Sequence, residues 1–229
     1  MFHILDIGNT HTRIAQWENG EFSSIRVVDT ADLKCPFTEL PAAAACVCAP
    51  IRKRLENSGI NFISALNQHS KVDFSLMDCS TLGADRVANA AALAEFYPLP
   101  GAVIDCGTAI TLELVDEKCR FAGGAIAPGR ALMRSSLAIG TSQLPQSLLL
   151  AEVPEAPGRN TIDAIGFGVG RGALGVVREL AAAAREHLKV KTLILTGGDA
   201  EFFRAAVPDA IIPGPEFTLH GVRLAAGVK

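Results

Sequence analysis

Four short segments hold residue types suited to moving a phosphate group. Asp6-Ile7-Gly8-Asn9-Thr10 places a carboxylate at the end of an apolar run and follows it with Gly and small polar residues. Backbone N–H groups in such a turn can cradle phosphate oxygens, the Thr10 hydroxyl can add a donor, and Asp6 can hold Mg²⁺ through water. Asp105-Cys106-Gly107-Thr108-Ala109 repeats the pattern. Thr196-Gly197-Gly198-Asp199-Ala200 follows another apolar run, and its glycines let the backbone approach a flat purine or its ribose closely. Gly83-Ala84-Asp85-Arg86 sets an acid and a base side by side where a helix begins. Read from the residues alone, Asp85 is a charge that the helix dipole favours and Arg86 a solvated charge. Each segment alone also makes an ordinary turn or helix start; two acidic strand ends in one chain could grip a triphosphate from both sides.

The elements that must position these segments follow from apolar periodicity. Phe2 to Ile7 and His11 to Trp17 read as strands around a tight turn, Asn19-Gly20 as a hairpin turn, and Glu21 to Val28 as a third strand. Ala43 to Cys48 reads as a buried strand, Ile51 to Asn57 as a helix capped by Gly59, and Ala84 to Phe96 as a helix ending before Pro98. A second series runs Ala102 to Asp105, Ile110 to Val115, a turn at Asp116-Glu117-Lys118, and Arg120 to Ile126. An offset of 99 residues carries Asp6 to Asp105, Gly8 to Gly107, Thr12 to Thr111 and Phe22 to Phe121. The repetition predicts two similar α/β halves, residues 1–98 and 99–229, meeting near Pro98-Leu99-Pro100-Gly101. Helices are expected over Arg130 to Ala138 and Asn160 to His187, then a strand over Thr192 to Leu195. Two final helices are split by Pro213-Gly214-Pro215.

Composition narrows the function classes. The 229 residues are 49% hydrophobic and 20% charged with a net charge of −3, long enough for one large domain or two small ones and too long for a disulfide scaffold. A mildly acidic balance argues against a surface built for nucleic acid or anionic lipid. The six cysteines show no C-x₂-C pair, and the five histidines show no ligand spacing, so neither a metal nor a disulfide framework is expected. The opening Met1-Phe2-His3-Ile4-Leu5-Asp6 has no basic secretory region, and Gly, Ser, Gln and Pro interrupt every long apolar stretch. No membrane segment and a cytoplasmic location are expected.

Strand-end Asp in two duplicated hairpins, with a late Gly-Gly turn, resembles the actin-like ATPase and sugar-kinase superfamily, in which two ribonuclease-H-like halves close on ATP. Within it the chain resembles type III pantothenate kinases. The likeness lies in Asp6-Ile7-Gly8-Asn9-Thr10, Gly83-Ala84-Asp85-Arg86, Asp105-Cys106-Gly107-Thr108-Ala109, and Gly123-Gly124-Ala125-Ile126-Ala127-Pro128-Gly129. It continues through Gly140-Thr141-Ser142-Gln143-Leu144-Pro145, Gly158-Arg159-Asn160-Thr161 and Thr196-Gly197-Gly198-Asp199. The ordered set spans nearly the whole chain.

The resemblance implies the α/β fold with an ATP cleft between its halves and transfer of phosphate from ATP, with Mg²⁺, to the 4′-hydroxyl of pantothenate, the first step of coenzyme A synthesis. It also implies roles. Asp6, Ile7, Gly8, Asn9, Thr10, His11, Thr12 and Arg13 would form the ATP-phosphate loop and Thr108 would contact ATP. Asp105 would help hold K⁺ or NH₄⁺. Gly83, Ala84, Asp85 and Arg86 would meet pantothenate, with Asp85 as general base and Arg86 on the carboxylate. Thr161 would reach the substrate across a homodimer interface. One departure is that Leu76-Met77-Asp78-Cys79-Ser80-Thr81-Leu82 lacks the Tyr and Pro usual upstream of the Gly-x-Asp-Arg segment. Two other readings fit the same residues: a kinase for another small hydroxy acid or polyol, and a nucleotide-binding regulator without catalysis.

Overall fold

The computed structural model describes residues 1–34 and 40–229; Cys35 lies outside them. Strands β1 (Phe2–Ile7), β2 (His11–Glu18) and β3 (Glu21–Asp29) pair antiparallel, turned between the last two by Asn19 and Gly20 at φ 52° and 89°. β4 (Ala42–Cys46) and the short β5 (Asn61–Phe62) add in parallel, giving the order β3-β2-β1-β4-β5. Between them α1 (Ala49–Arg54) begins two residues before the expected start, with Pro50 in its first turn, where proline's fixed φ suits a helix. Leu5, Ile7 and Ile14 from the sheet close a core with Ile51 and Leu55.

α2 (Ala84–Phe96) occupies the expected residues and is buried along most of its length, with Val87, Ala88, Ala90, Ala91, Ala92 and Leu93 nearly inaccessible. Its small side chains admit α6 (Phe217–Ala225) at backbone distance: a Cβ at Gly221 would run into the Ala88 carbonyl. Beside that crossing the Thr218 hydroxyl donates to Asn89 Oδ1 at 2.9 Å, out of contact with water.

The second sheet contains β6 (Gly101–Cys106), β7 (Ala109–Val115), β8 (Phe121–Pro128) and β9 (Thr192–Thr196) in the order β8-β7-β6-β9, repeating the β3-β2-β1-β4 order of the first. Cys119, 99 residues after Gly20, takes the positive φ of 61° in the β7–β8 turn. That turn is set by the Asp116 carboxylate, which accepts from Lys118 N, Arg120 N and Arg120 Nε. The remaining helices of this part of the chain are α3 (Arg130–Gly140), which packs on the long α4 (Thr161–Leu188), and the short α5 (Ala200–Phe203).

Two compact units result. One comprises residues 1–101, 113–123 and 213–229, the other 102–112 and 124–212. The C-terminal segment groups with the first unit because α6 packs on α2. Among the described residues no helix is long and apolar enough to cross a membrane.

Candidate functional site

In the first unit, Asp6 stands one residue before the end of β1, directly opposite Arg13 of β2, whose Nη1 donates to Asp6 Oδ2 at 3.2 Å. The turn that follows is closed by Gly8 N donating to His11 O at 3.1 Å. Thr30, which the sequence motifs did not single out, clamps it. Its N–H donates to Thr10 O at 2.8 Å, its hydroxyl donates to Gly8 O at 2.9 Å, and that hydroxyl lies 2.9 Å from Thr12 Oγ1. Ile7 and Thr12 are buried and support the turn from behind, while Asn9, Thr10 and His11 are exposed. His11 Nε2 lies 3.5 Å from Asp29 across the strand pair.

The same unit holds Gly83–Arg86. Asp85 stands in the first turn of α2, half-buried, with its Oδ1 accepting from Arg86 N at 2.8 Å. The carboxylate folds back over Gly83, where a Cβ would come 2.5 Å from Oδ1, so glycine at that position makes room for it. Arg86 is buried, and its Nε donates to Glu113 Oε1 at 3.0 Å. Glu113 is fully buried, and the guanidinium carbon also stands 5.5 Å from the Phe121 ring. Phe121 stacks on Phe74. The only sequence sign of Glu113 is an acid inside an otherwise apolar strand, Ile110-Thr111-Leu112-Glu113-Leu114-Val115. Upstream of Gly83, where the aromatic is missing, the Asp78 carboxyl accepts from the hydroxyl and N–H of Ser80, and both bonds hold its pKa below the ordinary range.

In the second unit three turns meet at Asp105. Gly107 N donates to Ala109 O, Gly129 N to Thr108 O and Asp199 N to Cys106 O, at 3.0, 3.0 and 2.9 Å. Gly197 has φ 93°, and a Cβ there would strike the Asp105 carboxylate and the Cys106 carbonyl. A Cβ on Gly129 would strike the carbonyls of Gly107 and Thr108. The glycines therefore leave a cradle bordered by one carboxylate and several carbonyl oxygens. Such hard donors, with a single negative charge, fit an alkali-type cation. Among the described residues no group of three His, Cys, Asp or Glu could hold a metal ion.

Thr161 is exposed at the first position of α4, after Asn160, whose side chain caps the helix by accepting from Asp163 N at 3.0 Å. It borders a groove of about 650 Å³ lined by Met133 and Leu137 of α3 and by Ile165 and Val169 of α4. Thus Asp6–Arg13 and Gly83–Arg86 lie in one unit, and Asp105, Thr108 and Thr161 in the other.

Comparison with known proteins bears on what these features serve. Residues 41–183 match the family model described as type III pantothenate kinase. The chain belongs to that family. A type III pantothenate kinase of Akkermansia muciniphila is 38% identical over 153 residues, which cover 65% of this chain and 61% of that protein. One of Methylacidiphilum infernorum is 29% identical over 237 residues, covering 96% of this chain and 86% of that protein. Among solved structures, one described as a Baf family transcriptional activator from Campylobacter jejuni aligns with a TM-score of 0.65 at 21% identity, covering 96% of this chain and 95% of that one. Component A of the (R)-2-hydroxyglutaryl-CoA dehydratase of Acidaminococcus fermentans aligns with a TM-score of 0.59 at 16% identity, covering 98% and 95%. At these identities the two structural likenesses are likenesses of fold.

Proposed function

We propose that this family member phosphorylates the 4′-hydroxyl of pantothenate with MgATP, the first step of coenzyme A synthesis, in the cytoplasm. The observation that carries the reading is the Asp85–Arg86 pair, a half-buried carboxylate at a helix start beside an arginine held by a buried glutamate. Asp85 takes the proton of the attacking hydroxyl as its oxygen bonds to the γ-phosphorus and the bridging oxygen leaves with ADP. Arg86 binds the carboxylate of pantothenate, which fixes the distance from that end of the molecule to the reacting hydroxyl. Backbone N–H groups of residues 6–13 meet the phosphates, and Thr108 contacts ATP.

The chain is read as two duplicated ribonuclease-H-like halves of the actin-like fold with ATP between them, a reading supported by the repeated strand order. Asp105, with the carbonyls around it, would hold K⁺ or NH₄⁺, which when bound offsets phosphate charge. The active form is a homodimer in which the partner supplies Thr161. The apolar groove beside Thr161, together with exposed Ile126, Ile139, Leu148 and Ile162 in the same unit, supports such an interface. A coupled ADP-release assay over pantothenate and a panel of other small hydroxy acids and polyols tests the substrate. Pantothenate is expected to stimulate turnover most; turnover with a different alcohol and none with pantothenate would overturn the reading.

A further inference from the structure

Arg130 opens α3, yet its guanidinium points away from any solvent role. The side chain is 7% exposed, and every nitrogen is engaged. Nε donates to Asp199 Oδ2 at 3.1 Å and Nη2 to Asp199 Oδ1 at 2.7 Å, the bidentate fork geometry, while Nη1 donates to Leu150 O at 2.8 Å. The guanidinium plane also covers the Phe202 ring, with its carbon 3.6 Å from the centroid. Both residues of the pair belong to turns that meet at Asp105. Arg130 directly follows Gly129, whose N–H is bound by Thr108 O, and Asp199 ends the Gly197-Gly198 turn, its own N–H bound by Cys106 O.

Stability alone gives little reason for this pair. A buried ion pair is commonly no better for folding than apolar residues of the same volume, since desolvation offsets the attraction. What a bidentate arginine adds is a fixed geometry. Here that geometry joins the turn before α3 to the turn before α5, on either side of the cradle that the glycines leave at Asp105. Gly197 stands against the Asp105 carboxylate, and the pair ties its turn to the turn before α3.

We infer that Arg130 and Asp199 are positioning residues of the nucleotide and cation site, clamping the Gly197-Gly198 turn against Asp105. The inference rests on the reading of Asp105, Thr108 and that turn as the ATP side of the reaction. It predicts a specific kinetic signature, because a clamp on the ATP side leaves the pantothenate side untouched.

The test is Asp199→Asn and Arg130→Met, assayed for KM of ATP and of pantothenate, with ATP binding to the enzyme alone followed by saturation-transfer NMR. Supporting shells of this kind change affinity about 10- to 100-fold when broken, so KM for ATP and the NMR affinity are expected to weaken by that factor in Asp199→Asn, with KM for pantothenate unchanged. Arg130→Lys, which keeps the charge and loses the fork, is expected to fall between wild type and Arg130→Met. The double variant is expected to be no worse than the weaker single one. Should Arg130→Met fail to fold, the nearly isosteric Asp199→Asn carries the test. Lowered melting temperature with unchanged ATP affinity in Asp199→Asn would overturn the inference, leaving the pair a structural brace. Wild-type enzyme that binds ATP without phosphorylating pantothenate would instead overturn the substrate reading, and the NMR arm would still decide the clamp.

Discussion

Arg86 and Glu113 form a buried ion pair 27 residues apart in sequence, with Nε donating to Oε1 at 3.0 Å and the carboxylate wholly withdrawn from solvent. The residue proposed to meet the pantothenate carboxylate is thus itself held by a carboxylate of the protein. Removing one member of such a pair strands the other charge in a low-dielectric site, at a cost of about 3–5 kcal/mol. Glu113→Gln is expected to lose stability on that scale in chemical denaturation. It is also expected to raise KM for pantothenate more than KM for ATP, since it loosens Arg86 and not the phosphate loop. Equal effects on both constants would contradict the assignment of Arg86 to pantothenate.

Gly197→Ala places a methyl group against the Asp105 carboxylate and the Cys106 carbonyl at a backbone angle that L residues rarely adopt. Strain of this kind costs roughly 1–3 kcal/mol if the turn stays, or is relieved by moving the turn off Asp105. Initial rates measured against ATP and against KCl are expected to show both half-saturation concentrations raised about tenfold, the equivalent of 1.4 kcal/mol. A variant with wild-type dependence on both would remove this turn from the site.

His220 makes stability depend on pH. Its ring is packed edge-on among Trp17, Phe22 and Phe96, and its Nδ1 is buried without a hydrogen-bond partner among the described residues. Burial, reinforced by nearby Arg223 and partly opposed by Glu216, pushes its pKa below the ordinary 6.5. The unfolded chain therefore binds the proton more readily than the folded one. The contribution is complete above the unfolded value and is lost as pH falls through the folded value. Melting temperature is expected to drop as pH falls below about 7, from a point well above the range of ordinary carboxylates near 4. The drop should be shallower in His220→Phe, and an identical profile in the two proteins would contradict the role given to this ring.

A partner-supplied Thr161 predicts complementation. Asp85→Asn and Thr161→Val proteins are each expected to be weak, and a mixture re-equilibrated through dissociation is expected to recover about one quarter of wild-type activity. Half of the dimers are then mixed, and each of these holds one intact site. Absence of recovery in a mixture shown to exchange subunits would place Thr161 in its own chain's site.

Local chemistry made much of the fold legible. Phe2–Ile7 and Ala84–Phe96 end where apolar periodicity, the Gly8-Asn9 turn and the approaching Pro98 end them, and the 99-residue offset marked a second run of strands after the first. Pairings between distant residues were not legible. Thr218 and Asn89, which bring α6 onto α2, lie 129 positions apart, and neither is unusual in its own helix. Glu113 and Arg130 resemble a stray acid in a strand and a surface charge at a helix start until their partners Arg86 and Asp199 are known. Thr30 follows a strand with no motif around it, and its bonds to Gly8, Thr10 and Thr12 show only in the fold. The residues proposed to touch the reactants stand out in local sequence, whereas the partners that pack against them show only in the fold.

The central claim is that Asp85 draws the proton from the 4′-hydroxyl of pantothenate. Its most direct test is ³¹P NMR and mass spectrometry of the product formed from ATP and pantothenate by wild type and by Asp85→Asn. Wild type is expected to yield 4′-phosphopantothenate and ADP in equal amounts. Asp85→Asn should retain ATP binding and lose about 10²- to 10⁴-fold in kcat, the range for removal of a general base. Phosphopantothenate formed at the wild-type rate by Asp85→Asn would contradict the account.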